Sequence, residues 1–594
     1  MRCFRCAANG LFVLIFCATA GRAQTPDNQA PPTPLRLMPD QADLLIQAPQ
    51  PRRLVETLTI GDLLKQLQQL APVREFFDST NARRFLQLVA YFEKEMGLPW
   101  PQLLDRLAGR GIVAGVQFGP SPAPVLLVIE GEDSQLTQQF FELALKIAEQ
   151  ELTRQEAKEK PIKGSYKEYS TVHIGTEFHA AVAGSALLLS NSEKALHAGL
   201  DRYHNVGKQS MAEVSDVGEA AHLLPPQPLV SLWLNMKKVR ESPEAKAAYQ
   251  APPRDDPVLT IALGSYLNLL GRTPFVCAGI YVDKDGFLAT IRTPRGREGM
   301  GADKLLHIPP AGVPGSRPLL KPKNVLYSES KYFDIANIWK ERDKLFNEKQ
   351  AKQFGAAEKK AAPFLVGTKL SKLFTQAGPY YRFVAVHQEK IGYKTTPKIV
   401  IPAFALVWEL REPEPFSKSM ESILRGVALL TGSQANLKLV EEQYKDCKLV
   451  GYRFPEDKPS KGDVNDLRFN FMPCFTRVGD QFVVSSTMEL CRELVDLIHK
   501  EGNAPTRGQA ATTRQYLYSS GAAAYLQTIE DLLVTQVTLD QAVTPAEGRQ
   551  EVKLFLDMIR KLGALSLEAR FHDKTFQYDI RLRADSTAHK QLSD

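Results

Sequence analysis

The chain has 594 residues, 44% of them apolar, and a formal net charge of +7. At roughly 150 residues per domain this permits several domains with sizeable cores, and it excludes a disordered or fibrous chain. The basic excess is too small, and too little interleaved with aromatic residues, for a nucleic-acid-binding protein.

Arg2 and Arg5 precede an apolar run from Leu11 to Ala20, followed by small residues at Ala18-Thr19-Ala20 and Gly21-Arg22-Ala23. This is the layout of a secretory signal peptide, expected to span residues 1–23 and to be cleaved after Ala23. The run falls short of the roughly 20 residues that cross a bilayer, and no later stretch reaches that length, so no transmembrane helix is expected after cleavage. Loss of Arg2, Arg5 and Arg22 lowers the net charge from +7 to +4. Residues 24–40 read as a proline-rich linker.

From there the chain reads as an α+β protein: two tandem copies of a mixed unit with a mostly antiparallel sheet and packed amphipathic helices. In the first copy, residues 41–292, Asp43–Ile46 is a short strand. Leucines at 54, 58, 63, 64, 67 and 70 give helical periodicity, and more helix follows from Ala82 to Met96 and from Trp100. Ile112–Phe118 and Val125–Ile129 are antiparallel strands, and a long amphipathic helix follows the acidic turn Glu130–Asp133. Tyr166–Ile174, Glu177–Val182 and Ala186–Ser190 form a meander. Pro228–Leu234 is a further strand, Leu259–Leu270 a helix, and Phe275–Val282 with Phe287–Arg292 a hairpin across Asp283-Lys284-Asp285-Gly286.

Glycine and proline dominate residues 293–323, which read as a linker. The series then restarts in residues 324–584, before a polar tail at 585–594. Asn324–Tyr327 answers Asp43–Ile46, and the helical Leu370, Leu373 and Phe374 answer Leu103, Leu104 and Leu107. Phe404–Trp408 answers Val125–Ile129, and Tyr444-Lys445-Asp446-Cys447 answers Tyr166-Lys167-Glu168-Tyr169. Gln481–Cys491 answers Ala186–Leu196 as a strand running into a helix. In the last strand Phe576, Tyr578, Ile580 and Leu582 alternate with Gln577, Asp579, Arg581 and Arg583, which places one face on a core and the other in water.

Each motif that suggests chemistry has a structural reading. Ser190-x-x-Glu193 and Ser486-x-x-Glu489 stand where capping boxes belong, with serine accepting from a helical amide and glutamate reaching back. Gly109-Arg110-Gly111-Ile112-Val113-Ala114-Gly115 has the glycines of a phosphate loop, but the order is helix then strand, the reverse of what a phosphate loop needs. A helix C-cap fits better. His173, Glu177 and His179 are a close histidine and carboxylate cluster, but a zinc site needs three or four ligands at fixed geometry, and the second copy has Gly451 where His173 should be. Asp283-Lys284-Asp285-Gly286 lacks the glutamate that closes a calcium loop. Cys3, Cys6 and Cys17 leave with the leader. Of Cys277, Cys447, Cys474 and Cys491, the second and third are the pair able to form a disulfide, against the reading of all four as small buried apolar residues. Trp100, Trp233, Trp339 and Trp408 fall on apolar faces and are expected in cores.

Pro39-Asp40-Gln41-Ala42-Asp43-Leu44-Leu45-Ile46, then leucine-rich helices, then Gly97-Leu98-Pro99-Trp100-Pro101-Gln102-Leu103-Leu104-Asp105-Arg106-Leu107 and paired strands resemble a family of large exported bacterial proteins of unknown function. The resemblance implies export and this architecture, and it carries over no functional residue. No catalytic, cofactor-binding or metal-ligating residue is assigned. The expectation is an exported periplasmic, cell-surface or extracellular protein that binds or scaffolds another envelope or extracellular protein or polymer. The competing expectation is an exported hydrolase whose site is assembled from dispersed residues.

Overall fold

A computed structural model of the chain describes residues 33–583 except 61–78, 205–208, 251–255, 284–285, 366, 390–391, 436, 458–462, 464 and 503–510. The leader, the tail, Leu63 to Leu70 and Lys284-Asp285 of the calcium-like turn lie outside the described residues. The fold is α+β, with a large sheet whose strands pair antiparallel within each unit, and many packed helices. It divides into two compact units, one of residues up to 242 plus 273–294, the other of 243–272 plus 295 onward. The segment 243–272 therefore belongs with the second unit, although it lies within the range read as the first copy.

Among the described residues the first unit holds ten strands: β1 (Leu44–Ala48), β2 (Gly111–Val116), β3 (Val125–Glu130), β4 (Pro161–Tyr166), β5 (Tyr169–Ile174), β6 (Phe178–Ala183), β7 (Ala186–Ser190), β8 (Val230–Asn235), β9 (Phe275–Asp283) and β10 (Gly286–Thr293). Their pairings give the order β4-β5-β6-β7-β3-β2-β1-β8-β9-β10. Its helices are α1 (Pro51–Ile60), α2 (Thr80–Met96), α3 (Trp100–Ala108), α4 (Ser134–Arg154), α5 (Glu193–Tyr203), α6 (Ser215–Leu223) and α7 (Met236–Glu241).

Alternation along the strands sends successive side chains to opposite faces, so each face buries its own set. Leu45, Val113, Val128, Leu188, Trp233 and Cys277 pack with Leu196 and Leu200 of α5 and Val217 and Ala220 of α6. On the other face Ile112 meets Val55 of α1, Val89 of α2 and Trp100, Leu103, Leu104 and Leu107 of α3. Phe141 of α4 covers Leu187, Leu189, Val172 and Ala180. Each fully buried leucine contributes about 1.5–3 kcal/mol, so these clusters decide the fold.

In the second unit α8 (Pro243–Gln250) and α9 (Pro257–Arg272) come first. The strands are β11 (Val325–Tyr332), β12 (Ala377–Val386), β13 (Ala403–Leu410), β14 (Lys438–Tyr444), β15 (Cys447–Arg453), β16 (Cys474–Val478), β17 (Gln481–Ser485), β18 (Ala511–Tyr518), β19 (Ala564–Phe571) and β20 (Phe576–Arg583). Their order is β14-β15-β16-β17-β13-β12-β11-β18-β19-β20. Strand for strand this is the order of the first unit. Register corresponds as well, away from irregularities at Val325/Tyr327, Ala377/Tyr381 and Ala511/Thr513 in the second unit; the first of these makes Tyr327, and not the expected Val325, the counterpart of Leu44. The row Val125, Val116, Leu44, Leu234, Val276 runs across β3, β2, β1, β8 and β9. The row Phe404, Ala385, Tyr327, Leu517, Leu565 runs across β13, β12, β11, β18 and β19. Between the strands lie α10 (Ile335–Lys340), α11 (Arg342–Leu345), α12 (Glu348–Ala361), α13 (Leu370–Gln376), α14 (Pro413–Ala435), α15 (Met488–Glu501), α16 (Ser519–Thr528), α17 (Glu530–Gln541) and α18 (Pro545–Lys561). Among the described residues no helix is long and apolar enough to cross a membrane.

Two sequence expectations fail in detail. Tyr166–Ile174 is not one strand but the turn and second strand of the β4–β5 hairpin, with Tyr166 opposite Tyr169. The two-residue turn lacks glycine and asparagine, and Lys167 itself takes the left-handed conformation at φ +53°, as Lys445 does at +54° in the second hairpin. On β20 the polar face does not simply meet water. Asp579 is 1% exposed and accepts from Arg570 at 2.9 Å, Arg581 at 2.9 Å and Gln577 at 2.8 Å, so a buried ion network occupies that face.

Candidate functional site

The strand-to-helix junction repeats between units, but not as the capping boxes read from the sequence. Ser190 ends β7. Its hydroxyl donates to the Val125 carbonyl at 2.7 Å and accepts from the Ser192 amide at 3.0 Å. The N-cap of α5 is Ser192, which accepts from the Ala195 amide at 3.4 Å, and Glu193 is already inside the helix. In the second unit Ser485 accepts from the Thr487 amide at 3.3 Å, and Thr487 caps α15 by accepting from the Leu490 amide at 3.4 Å. Ser486 instead accepts from the Phe404 amide at 2.8 Å, as Asn191 accepts from the Val125 amide at 2.7 Å. The expected serines are thus one or two positions too early, because the strand runs further before the helix starts. Both hydroxyls are spent on backbone.

A second repeated constellation joins the β4–β5 turn to the end of α5. Tyr166 donates to Asp201 at 3.0 Å, Lys167 Nζ lies 2.5 Å from Asp201, and His204 Nε2 lies 2.7 Å from Glu168. In the second unit Tyr444 donates to Asp496 at 2.9 Å, Lys445 pairs with Asp496, and His499 Nε2 lies 2.8 Å from Asp446. Two positions differ: Asp446 replaces Glu168 and keeps the carboxylate, and where the first unit has Tyr169 the second has Cys447.

That exchange changes the chemistry. Tyr169 is pushed up to about 12 by burial, with Glu168 adding to it, and its ring packs 5.2 Å from His204. Cys447 is 3% exposed and its thiol lies 3.5 Å from Asp446 Oδ1. One ligand-type atom from each of Asp446, Cys447 and His499 lies within 4.8 Å of the others. His499 Nδ1 is 2.7 Å from the Val495 carbonyl, an acceptor, so that nitrogen carries hydrogen and Nε2 faces the carboxylate. Burial, then Asp446, push the Cys447 thiol up to about 11, and its hydrogen points to the carboxylate rather than to the imidazole. An activated nucleophile needs the reverse arrangement.

The remaining candidates are structural in the fold. Gly109 ends α3, where a Cβ would meet the Asp105 carbonyl oxygen at 2.2 Å, and Gly111 starts β2 at φ +116°. The glycine run is a helix end and not a phosphate loop. His173 and His179 are opposite each other on β5 and β6, but their ring nitrogens take the carbonyls of Gly175 at 3.2 Å and Thr176 at 3.3 Å. Their counterparts in the second unit are Gly451 and Cys474. Cys447 and Cys474 are free thiols, Cys474 standing opposite Gly451, with Cys491 of α15 as its thiol neighbour. Trp100 and Trp233 are buried, whereas Trp339 and Trp408 are half-buried. An open depression of about 470 Å³ in the second unit is lined by Leu305 and Pro309 among others and by four charged residues, Arg297, Glu298, Asp573 and Lys574, of which Arg297 and Asp573 pair at 2.5 Å.

No family model matches the chain, and no curated protein matches it. Solved structures of crystal forms I and III of TP0453 are distantly similar, each with a TM-score of 0.24. Identities are 9% and 10%; each match covers 46% of this chain, and 82% or 84% of the other. A likeness this slight carries no argument about fold or function.

Proposed function

We propose that this chain is an exported, non-catalytic protein of the envelope or extracellular space, built by tandem duplication of one α+β framework and used to bind or scaffold another macromolecule. The observation that carries this reading is what happens to the reactive-looking side chains in both units. The serines of the strand–helix junction hold backbone groups, the paired histidines of β5 and β6 hold carbonyls, and the thiol beside His499 is kept protonated by burial and Asp446. The same strand order and register in two units support duplication, and the leader pattern at residues 1–23 supports export.

The purified chain should turn over none of a broad panel of ester, peptide, glycoside and phosphate substrates. Turnover abolished by a single substitution at Cys447 or His499 would replace this reading with that of an exported hydrolase. Export is tested by intact mass of the secreted chain, which should begin at Gly21 or Gln24; a retained Met1 contradicts leader cleavage.

A further inference from the structure

The carboxylate–imidazole pair occurs in both units, but only the second adds a sulfur, and it does so at a position where the first unit carries a phenol. Asp446 lies on the two-residue turn between β14 and β15, Cys447 is the first residue of β15, and His499 sits in the last turn of α15. Sulfur and carboxylate are 3.5 Å apart, carboxylate and imidazole 2.8 Å, and all three donor atoms fall within 4.8 Å. A tetrahedral zinc ion with bonds of about 2.0–2.3 Å places its ligand atoms about 3.3–3.6 Å from one another. Asp446 is exposed on its turn and free to open the closer distance by that amount.

The groups around the three support cation binding. Nδ1 of His499 is turned to the Val495 carbonyl, the arrangement that fixes a metal-ligating imidazole with its Nε2 lone pair toward the ion. Nε2 and Oδ1 face each other at 2.8 Å, a separation that a proton or a metal ion between them can bridge. Lys445, next to Asp446 in the chain, is held by Asp496, and Arg477 is held by Glu414. One thiolate, one carboxylate and one neutral imidazole neutralise a divalent ion, and a thiolate with an imidazole selects zinc-class metals over magnesium or calcium.

We propose that Asp446, Cys447 and His499 form a three-ligand site for a divalent transition-metal ion of the zinc class, with its fourth position open to water. Binding replaces the thiol hydrogen by the metal and releases that proton to solvent. The first unit, with Tyr169 in the sulfur's place, lacks the site and serves as its internal control.

The test uses the full chain stripped with a chelator and titrated with cobalt(II), followed by displacement with zinc. The expected result is saturation at one equivalent, with a near-ultraviolet thiolate-to-cobalt charge-transfer band that zinc abolishes. Cys447→Ser should remove the band. His499→Gln and Asp446→Asn, which change exposed groups, should weaken binding more than tenfold while circular dichroism and melting temperature hold. Glu168→Gln with His204→Gln should leave binding unchanged. Absence of saturable binding, or a spectrum that Cys447→Ser, His499→Gln and Asp446→Asn all leave unaltered, overturns the assignment.

Discussion

Arg382 offers the sharpest test of the packing. It lies on β12 with 2% of its surface exposed, at the register position that Val113 occupies in the first unit's apolar core. Its guanidinium donates to Glu501 at 2.7 Å, to the Pro318 carbonyl at 3.2 Å and to the Gln481 side chain. Burial lowers its pKa while Glu501 opposes that shift, so the ion pair is what keeps the charge tolerable there. Arg382→Met removes the charge and strands its acceptors. Breaking one side of a buried pair costs about 3–5 kcal/mol. The Glu501 side chain retains 16% exposure and regains some water, which places the cost near the lower end, about 3 kcal/mol. With a urea m-value of about 3 kcal/mol/M, the unfolding midpoint followed by tryptophan fluorescence should fall by about 1 M. Adding Glu501→Gln should recover a substantial part of that loss, since no unpaired carboxylate then remains. A shift under about 0.3 M, or a double variant whose loss is the sum of the two singles, refutes the reasoning.

Other outcomes follow from the same interactions. Ser192→Ala and Thr487→Ala each remove an N-cap acceptor and should cost about 1 kcal/mol in urea unfolding; a neutral result at both would contradict the corrected cap positions. Burial pushes the His307 pKa below its ordinary 6.5, Lys331 adding to the effect and the bond to the Ile261 carbonyl opposing it. Below pH 6.5 the unfolded chain takes up a proton that the folded chain refuses, so stability falls as pH drops through the interval down to the lowered folded pKa and is flat above it. Chemical denaturation across that range should show this slope in the wild type and a reduced one in His307→Phe. Finally, Cys277, Cys447, Cys474 and Cys491 are free and buried, so alkylation mapped by mass spectrometry should label them only after unfolding, without reductant. Recovery of a Cys447–Cys474 disulfide peptide would instead support the oxidised pairing.

What the sequence carried was the periodicity that burial imposes. β1, β2, β3, β7 and the β9–β10 hairpin are short runs of alternating or continuous apolar residues bounded by glycine and proline, and they fall where those runs do. The β4–β5 hairpin escaped because its turn is Lys167-Glu168, with no residue that announces a left-handed conformation. The cap positions slipped because Ser190-Asn191-Ser192 and Ser485-Ser486-Thr487 offer several capping-competent side chains in a row, and only the strand's hydrogen bonds decide which one starts the helix. Asp579 read as an exposed polar residue because alternation cannot distinguish water from a buried ion network. The Asp446, Cys447 and His499 cluster joins a turn to a distant helix end, so local spacing could not show it. The signal that could have done so was the repeat: extending the match of Tyr166-Lys167-Glu168 with Tyr444-Lys445-Asp446 to Asp201 and His204 leads to Asp496 and His499.

The central claim is that one strand order, in one register, is built in both units, and cross-linking tests it most directly. Leu44 lies opposite Leu234, and Tyr327 opposite Leu517, each joining strands far apart in the chain. Cysteines placed at each pair stand within disulfide reach, whereas the diagonal pairs Leu44 with Leu232 and Tyr327 with Gln515 are separated by about 7–8 Å. Mild oxidation followed by peptide mapping should link both direct pairs and leave the diagonals reduced. Linkage in one unit alone, or preferential linkage of the diagonals, would contradict the shared register and with it the account of the chain as one framework used twice.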